Sequence, residues 1–587
     1  MGGRAPTFLR AGAFHAVSFV LSAALAGWSC GSRETSSTTS GAAVGGGGGT
    51  EALAGRLEGL AVSRGALSPA FSPNVTSYTI DVPFAAASVD LTPTASPGAS
   101  VTVNDAPLPA NGTATVDRAL GKQLVTVEVL GAGGSTSYII EVRRGLALSG
   151  TFKGVPALPG AECGSALATS GTTLVMGCYR HVEPSDANPE LLLGGAVFVF
   201  EREGSEWAFV QKLMLATGSA EDRFGTSVAL EGSLLVVGAP GHSANAGRAF
   251  VFEKDDAGVW TQRAAVAPKP GQLLDLFGSS VAISGSQLAI GAMGEDGGAS
   301  GINGVVDESA PGAGAAYIFT RVGDSFTFQQ EAYVKAAEPS AGDLFGSALA
   351  LRGDQLAVAA IGEDSAAGGV GADGKGNGAV DSGAVFIYRR EAAGWTYTTR
   401  IKGPSPNASD AFGSALALHS DGLLVGIPGD DATGSGVGQD ADDEGALDSG
   451  AAALYRRDAK GEWSLEAHFK SHASTPYDGF GAAVALDGHL LAVGAPREDG
   501  SGKGLAPPVD EASLSSGAVY SFRQAGSWLL DGYVKAPVDL PGQRFGSAVA
   551  LGADEVFAGA PYDDTDAVDG EPSTGITLDA GASYALW

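Results

Sequence analysis

Short apolar runs, often with alternating apolar and polar residues, follow one another along most of this chain, separated by glycine-rich and acidic turns. Short runs of this kind predict β-strands rather than helices. From about residue 146 the runs return in a fixed order: a Phe-Gly strand, a tight turn, a strand ending in Gly-Ala-Pro, a variable loop, a third strand, and a fourth that opens with an aromatic residue. A self-similar unit of this length indicates a repeat architecture.

One pair of positions, fifteen residues apart, marks each of the seven repeats. In six repeats the first position is a phenylalanine and the second is Ala or Ile; the phenylalanines are Phe224, Phe277, Phe345, Phe412, Phe480 and Phe545. In the first repeat both positions are cysteine, Cys163 and Cys178. Because each pair encloses a tight turn, we expect its members to face each other on a hairpin. The cysteines are therefore predicted to form a disulfide if the chain is exported, the alternative being two buried free thiols.

Seven units of four strands predict a seven-bladed β-propeller over residues 146–587. The last repeat stops in its third strand, so we expect residues 146–153 to supply the closing strand of the seventh blade. The motifs resemble the FG-GAP repeats of the integrin α-subunit propeller, as in Phe480-Gly481 and Gly494-Ala495-Pro496. Integrins bind calcium between these two strands, but here only a tight turn joins them. The resemblance therefore implies the fold and carries no calcium site to that position.

The N-terminal residues 1–29 have the pattern of a signal peptide, with Arg4 and Arg10 ahead of an apolar run. The run ends at Gly27-Trp28-Ser29-Cys30, which resembles a bacterial lipobox and implies lipidation of Cys30. An ordinary signal peptide, cut nearby, is the alternative. Residues 30–54 are rich in Ser, Thr and Gly and predict a flexible tether. Together these features predict a lipoprotein of the outer membrane or cell surface, with a periplasmic or secreted protein as the alternative.

Residues 55–145 predict a small β-sandwich domain. The stretch Leu67-Ser-Pro69-Ala-Phe71-Ser-Pro73 and the closing strand Tyr138–Val142 resemble the bacterial cadherin-like β-sandwich. Members of that family are mostly stalk or adhesion modules without chemistry of their own. The resemblance implies a spacer, and a carbohydrate- or protein-binding domain is the alternative.

The chain is strongly acidic, with 65 Asp and Glu against 35 Lys and Arg. This balance disfavours nucleic acid as a partner, because phosphate binding needs basic patches. Five of the long loops between second and third strands carry acid pairs, which we expect on one rim: Glu295-Asp296, Glu363-Asp364, Asp430-Asp431, Glu498-Asp499 and Asp563-Asp564. One loop also spaces Asp440, Asp442, Glu444 and Asp448 as calcium ligands would be spaced. A calcium site is predicted there, with a solvated acidic loop as the alternative.

The sequence contains none of the catalytic motifs that we sought. The seven histidines are scattered, and there is no His-Glu-x-x-His, phosphate-binding loop, or Gly-x-Ser-x-Gly in a strand-to-helix context. We therefore expect a non-enzymatic binding or adhesion module that acts at the cell envelope through the loop face of the propeller. Its ligand is expected to be a protein or a glycan, with calcium as the only candidate cofactor. A structural scaffold and a propeller hydrolase are the alternatives.

Overall fold

The computed structural model describes residues 55–82, 88–117, 121–144, 148–184, 192–204, 206–269, 271–323, 325–438, 443–505, 507, 509–552, 555–565 and 577–586. The predicted signal peptide, the tether, Cys30, Asp440 and Asp442 lie outside these ranges. Within them the protein is all-β, and the strands form nine sheets. No helix in these ranges has the length and apolar character needed to cross a membrane.

Two of the sheets belong to the segment predicted as a sandwich. Its strands are β1 (Leu57–Val62), β2 (Ala66–Ser68), β3 (Ser77–Val82), β4 (Ser88–Ala95), β5 (Ser100–Val103), β6 (Ala106–Pro107), β7 (Ala114–Asp117), β8 (Gly121–Gly131) and β9 (Gly134–Arg144). One sheet has the order β1-β4-β7 and the other β2-β3-β9-β8-β5-β6. Alternate side chains of the two sheets, such as Leu91, Val127 and Ile140, are fully buried in one apolar core. Burial of every second residue is the reason that the sequence alternates here.

The remaining strands form seven sheets, which we number 1 to 7. A single strand, β10 (Leu148–Phe152), precedes them. Sheet 1 contains β11 (Ala166–Ser170), β12 (Thr173–Pro184), β13 (Leu192–Glu203) and β14 (Glu206–Leu213). Sheet 2 contains β15 (Ser227–Glu231), β16 (Leu234–Ala239), β17 (Arg248–Lys254) and β18 (Trp260–Val266). Sheet 3 contains β19 (Phe277–Ser284), β20 (Gln287–Ala292), β21 (Ala315–Arg321) and β22 (Phe328–Val334).

Sheets 4 and 6 each have a fifth, two-residue strand. Sheet 4 contains β23 (Phe345–Arg352), β24 (Gln355–Ala360), β25 (Gly369–Val370), β26 (Ala384–Glu391) and β27 (Gly394–Lys402). Sheet 5 contains β28 (Leu416–His419), β29 (Gly422–Ile427), β30 (Ala451–Arg457) and β31 (Trp463–Phe469). Sheet 6 contains β32 (Ala483–Asp487), β33 (Leu490–Ala495), β34 (Gly504–Leu505), β35 (Ala518–Ala525) and β36 (Ser527–Lys535). Sheet 7 contains β37 (Ala548–Leu551), β38 (Val556–Ala560), β39 (Ala582–Leu586) and β10. A short helical turn, His242–Asn245, joins β16 to β17 and includes left-handed residues.

Each sheet packs its apolar faces against its two neighbours. The first strands contact one another in the order β11, β15, β19, β23, β28, β32 and β37, and β37 in turn contacts β11. The second strand of a sheet is covered on both faces, and so every residue of β20, β24, β29 and β33 is buried. Side chains of sheets 7 and 1, including Phe152, Phe557 and Phe198, share one core cluster. Sheets 7 and 1 are therefore neighbours like any other consecutive pair.

The repeated phenylalanines lie at the centre of these cores. All six are at most 1% exposed. Each packs against an aromatic ring on the third strand of its own sheet, with centroids 5.2 to 6.1 Å apart. Phe277 faces Ala292 and Phe345 faces Ala360 across their hairpins, which confirms the predicted register in sheets 3 and 4. In sheet 1 the structure joins Cys163 and Cys178 by a disulfide, with their Cα atoms 4.0 Å apart.

A glycine just before the third strand, or near its beginning in sheet 1, lies directly against the next sheet. We call these seven residues the junction glycines: Gly195, Gly247, Gly314, Gly383, Gly450, Gly517 and Gly581. Each has a positive φ of 76° to 85°, and a Cβ built on any of them would lie only 2.0 to 2.4 Å from the carbonyl oxygen of the next repeat's Phe or Cys163. Only glycine avoids both the clash and the unfavourable backbone conformation.

Backbone hydrogen bonds accompany this close approach. Between sheets 5 and 6, the N–H of Phe480 donates to the carbonyl of Ser449 at 3.0 Å, and the N–H of Gly479 to that of Asp448 at 3.0 Å. Between sheets 7 and 1, the N–H of Cys163 donates to Ala580 at 3.1 Å and that of Glu162 to Asp579 at 3.1 Å. The same backbone contact therefore joins the last sheet to the first.

Replacing a junction glycine should destabilise the protein more than replacing a glycine of similar φ in open space. We compare Gly450→Ala (φ 82°) with Gly258→Ala (φ 84°), whose added Cβ would meet nothing within 4 Å. In both variants the alanine must adopt a left-handed backbone conformation, which lowers the free energy of unfolding by about 1–2 kcal/mol. Gly450→Ala should lose a further ~1–3 kcal/mol, since neighbouring backbone has to move. Urea unfolding measures both losses, and equal losses would show that the close approach is not a constraint.

Candidate functional site: the loop face

The long loops between second and third strands of sheets 3 to 7 all lead into a junction glycine, and so they lie beside the start of the following sheet. We call the surface that carries these loops the loop face. It includes the five predicted acid pairs. The sequence predicts that these pairs lie on one rim. The structure assigns the two acids of each pair different roles.

The first acid of every pair is buried in an ion pair with a lysine and is not free to bind a ligand. The five pairs are Glu295–Lys335, Glu363–Lys402, Asp430–Lys470, Glu498–Lys535 and Asp563–Lys153. All five lysine side chains are at most 1% exposed. An isolated buried charge is very costly, and a partner with further hydrogen bonds offsets that cost.

Serine hydroxyls complete the coordination of three of the ammonium groups. Lys402 Nζ donates to Ser382 Oγ at 2.7 Å, Lys470 Nζ to Ser449 Oγ at 2.9 Å, and Lys535 Nζ to Ser516 Oγ at 2.7 Å. Each serine directly precedes a junction glycine. Burial lowers the pKa of Lys335 and of Lys402, and the neighbouring Glu295 and Glu363 oppose that shift. In these sheets an internal ammonium group ties the beginning of the loop to its end.

The second acid of every pair accepts a hydrogen bond from the loop backbone. Its Oδ1 receives the N–H of the residue two positions before the junction glycine, at 2.6 to 2.9 Å: Asp296 from Gly312, Asp364 from Asp381, Asp431 from Asp448, Asp499 from Ser515, and Asp564 from Asp579. These donor residues all have positive φ. The second acid therefore fixes the left-handed bend through which the loop enters its third strand.

A further row of buried acids lies two residues before the repeated phenylalanines. Asp275, Asp343, Asp410 and Asp478 are each at most 5% exposed. Burial raises the pKa of Asp275 to about 6 and those of Asp343, Asp410 and Asp478 to about 7. Hydrogen bonds from the backbone oppose this shift in all four, while nearby carboxylates such as Glu363 and Asp430 add to it. These groups titrate near neutral pH although each belongs to the packed interior.

Sheets 1 and 2 carry different polar partners at corresponding positions. Glu162, which is 4% exposed, accepts hydrogen bonds from Tyr179 Oη at 2.5 Å and from Arg180 Nη1 at 2.6 Å. In sheet 2, Asp222 lies 2.9 Å from His242 Nδ1. A cavity of about 500 Å³ beside these groups is lined by Tyr179, Arg180, Glu221 and Arg223, among others. This corner of the loop face exposes guanidinium groups in an otherwise acidic protein.

The predicted calcium ligands divide between described and undescribed residues. Glu444 is exposed and accepts a hydrogen bond from Asn407 Nδ2, while the N–H of Asp448 donates to Asp431. Asp440 and Asp442 lie outside the described ranges. Among the residues that are described, no three His, Cys, Asp or Glu side chains gather as metal ligands would. The calcium site thus stays a prediction.

Comparison with known protein families identifies both parts of the structure, the sandwich domain and the repeated sheets. A family model for the cadherin-like beta sandwich domain matches residues 57–145. A model for the FG-GAP repeat matches residues 207–252, 260–319 and 463–522. The chain carries both domain types. Each FG-GAP match begins at the tryptophan of one fourth strand and ends on the third strand of the next sheet, so the matched unit includes a junction between sheets. No curated protein matches the chain.

These matches confirm the two resemblances seen in the sequence, and both domain types are typically non-catalytic binding modules.

Sequence reasoning missed the five lysines, although a signal for them was present. Each of them precedes the Phe or Cys163 of the following repeat by ten residues: Lys153, Lys335, Lys402, Lys470 and Lys535. A recurring lysine at the end of an apolar strand in an acidic chain predicts a buried partner for it, because an unpaired charge would not be tolerated there.

The buried aspartates should make stability depend on pH. A carboxyl with a raised pKa in the folded state contributes stability that is present below its unfolded value of 3.8 and is lost as pH rises through about 7. The variant Asp343→Asn/Asp410→Asn/Asp478→Asn stays neutral at every pH. Relative to the native protein it should therefore gain stability as the pH rises from about 4 to about 7, by roughly a few kcal/mol or more in total. Thermal unfolding of both proteins across this range measures the difference.

Comparison with the native protein at each pH removes the opposing effect of His468 and His472, whose pKa values are lowered by burial. Asp256→Asn, at an exposed turn position, serves as the matched control and should leave the pH profile unchanged. A triple variant that loses stability equally at all pH values would contradict the assignment.

Proposed function

We propose that this chain is an exported, non-catalytic binding protein that holds a macromolecular partner on the loop face of a closed, seven-bladed propeller. The observation that carries the proposal is that five long loops enter the same kind of junction and lie beside one another along the ring of first strands. Their acids are consumed in holding the loops in place. A surface built from fixed loops on a rigid scaffold suits recognition, since little ordering entropy is lost on binding.

Closure of the propeller is supported by the pairing of β10 with β39 and by the contact of β37 with β11. Closure leaves only short, protected strand edges, and it gives the loop face one continuous perimeter. The cadherin-like domain serves in this proposal as a spacer between the propeller and the membrane anchor. Calcium bound by Asp440, Asp442, Glu444 and Asp448 would order the loop of sheet 5 alone.

Attachment to the outer membrane or cell surface is proposed to occur through lipid on Cys30, followed by the Ser/Thr/Gly-rich tether.

Replacing Cys30 by Ala in the native host should abolish palmitate labelling. It should also move the protein from the membrane fraction to the soluble exported fraction, because no other anchor is proposed. Cys163→Ser, which removes a cysteine far from the lipobox, is the control. Retention of label by Cys30→Ala would overturn the lipid anchor.

The binding function is tested by affinity capture. The intact mature chain is immobilised and exposed to detergent-solubilised envelope of the native host, once with calcium and once with a chelator. We expect at least one envelope component to be retained over a column that carries only the segment 55–145. Equal retention on both columns would overturn binding by the propeller. If retention is the same with calcium and with chelator, the predicted calcium site in the loop of sheet 5 has no role in binding.

A further inference from the structure

One loop position exposes an apolar side chain in sheet after sheet. It is the residue three positions before the junction glycine, and we call the six described examples the tip residues: Ala244, Pro311, Val380, Leu447, Leu514 and Leu578. All six are exposed, and the four large aliphatic ones retain 54%, 48%, 68% and 63% of their accessible surface, in the order Val380, Leu447, Leu514 and Leu578. A single exposed apolar residue is ordinary on a protein surface, but its recurrence at the same position of successive sheets needs an explanation.

The backbone of five tip residues is held against the next sheet by the same hydrogen bond. Their carbonyl oxygens accept an N–H, at 2.7 to 2.9 Å, from the residue three before the next Phe or Cys163: Pro311 from Gly342, Val380 from Ser409, Leu447 from Tyr477, Leu514 from Gly542, and Leu578 from Gly160. The residue that follows each tip residue is left-handed. Equivalent backbone contacts at consecutive sheets place these side chains at equivalent points along one perimeter.

Packing within the protein does not account for these side chains. The half-exposed aromatic residues on the outer strands differ in this respect, since Phe209 packs on Phe198 and Phe200, and Tyr397 packs on Phe386 and Tyr388. The four large tip residues are absent from the described core clusters and from the residues packed against them. Tyr477, which donates its N–H to Leu447, is itself 53% exposed and enlarges the apolar area at the junction of sheets 5 and 6.

Acidic side chains border this apolar perimeter. Asp381 and Asp579 directly follow tip residues and are exposed, and Glu444 and Glu511 lie three residues before tip residues and are also exposed. Interfaces between proteins commonly combine an apolar centre with a charged rim. Because these four rim residues are acidic, lysine and arginine on a partner would be attracted to them, whereas the same positions of a second copy of this chain would set acid against acid.

We propose that the tip residues form the apolar contact surface for a protein partner whose own surface is apolar and bordered by lysine and arginine. This inference rests on the proposed function and specifies the kind of partner. It favours a protein over a glycan, because the aliphatic tip residues offer a sugar no side-chain hydrogen bonds. It also moves the binding determinants from the acid pairs to Val380, Leu447, Leu514 and Leu578.

The test uses three labelled peptides of equal length: an amphipathic leucine–lysine helix, oligolysine, and a leucine–glutamate helix. Fluorescence anisotropy with the intact mature chain should show that the leucine–lysine peptide binds more tightly than the other two. The variant Val380→Ser/Leu447→Ser/Leu514→Ser/Leu578→Ser should weaken that binding by about tenfold or more, since each lost aliphatic contact alone approaches this factor. Binding of oligolysine should be unchanged, because no charge has been altered.

The matched control replaces four aliphatic residues of comparable exposure away from the loops, Leu124, Leu130, Val259 and Val322, by serine. It should bind all three peptides as the native protein does. Equal thermal stability of the two variants excludes unfolding as the cause of a loss. The inference is overturned if the tip variant binds the leucine–lysine peptide as tightly as the control, or if that peptide binds no better than oligolysine. Sedimentation velocity tests self-association. If the native protein and the control variant form a dimer and the tip variant does not, the partner is a second copy of this chain and not a basic protein.

Failure of this inference can be told apart from failure of the proposed function. If the native chain retains an envelope component and the tip variant retains it equally, the loop face binds by other residues and only the present inference fails. If the native chain retains nothing, the proposed function fails in that envelope, while the peptide measurement still decides whether the tip residues form a binding surface.

Discussion

The close approach of backbone to backbone at the junction glycines is the contact on which the repeated sheets depend. At this point one sheet ends its long loop, begins its third strand, and meets the first strand of the next sheet within hydrogen-bonding distance. A side chain there would occupy the position of a neighbouring carbonyl oxygen. Because the contact is made by main-chain atoms, it requires glycine at the junction and leaves the middle of the loop free to vary in length and composition.

In the assembled sheets, the acid pairs of this acidic chain serve the structure of the loops. Ten carboxylates of the five acid pairs are used inside the protein, half of them beside lysines and half on backbone N–H groups. A buried ammonium group does in these loops what a bound cation does in calcium-binding loops, since it gathers oxygen atoms from distant parts of one segment. These acid pairs are therefore part of the scaffold, and the exposed tip positions of the loops are apolar.

Much of the fold could be predicted from the sequence because it is encoded locally. A phenylalanine facing a small residue across a short turn fixes the register of a hairpin, as Phe277 and Ala292 illustrate. The two domain types could likewise be read from short motifs. The fate of the acid pairs could not be read in this way, because Glu295 and Lys335 are forty residues apart and meet only after the fourth strand has returned to the loop. For the same reason, exposure of Leu514 or Leu578 follows from the tertiary fold and not from local pattern.

In the proposed closed propeller, the strand β10 would limit the number of repeats. It precedes sheet 1 in the chain, yet it forms the outer strand of sheet 7, where Thr151 faces Tyr584. An open array of repeats can gain or lose a unit at either end and needs only a capping repeat. Here the described sheets have no such end, because the one that would be terminal is completed by β10 and packs on sheet 1. A duplication or deletion of one repeat would separate β10 from its partner unless every angle between neighbouring sheets changed together. If the propeller is closed as proposed, the number of repeats is therefore a single geometric property of the whole ring, and a change of one unit would disturb every junction.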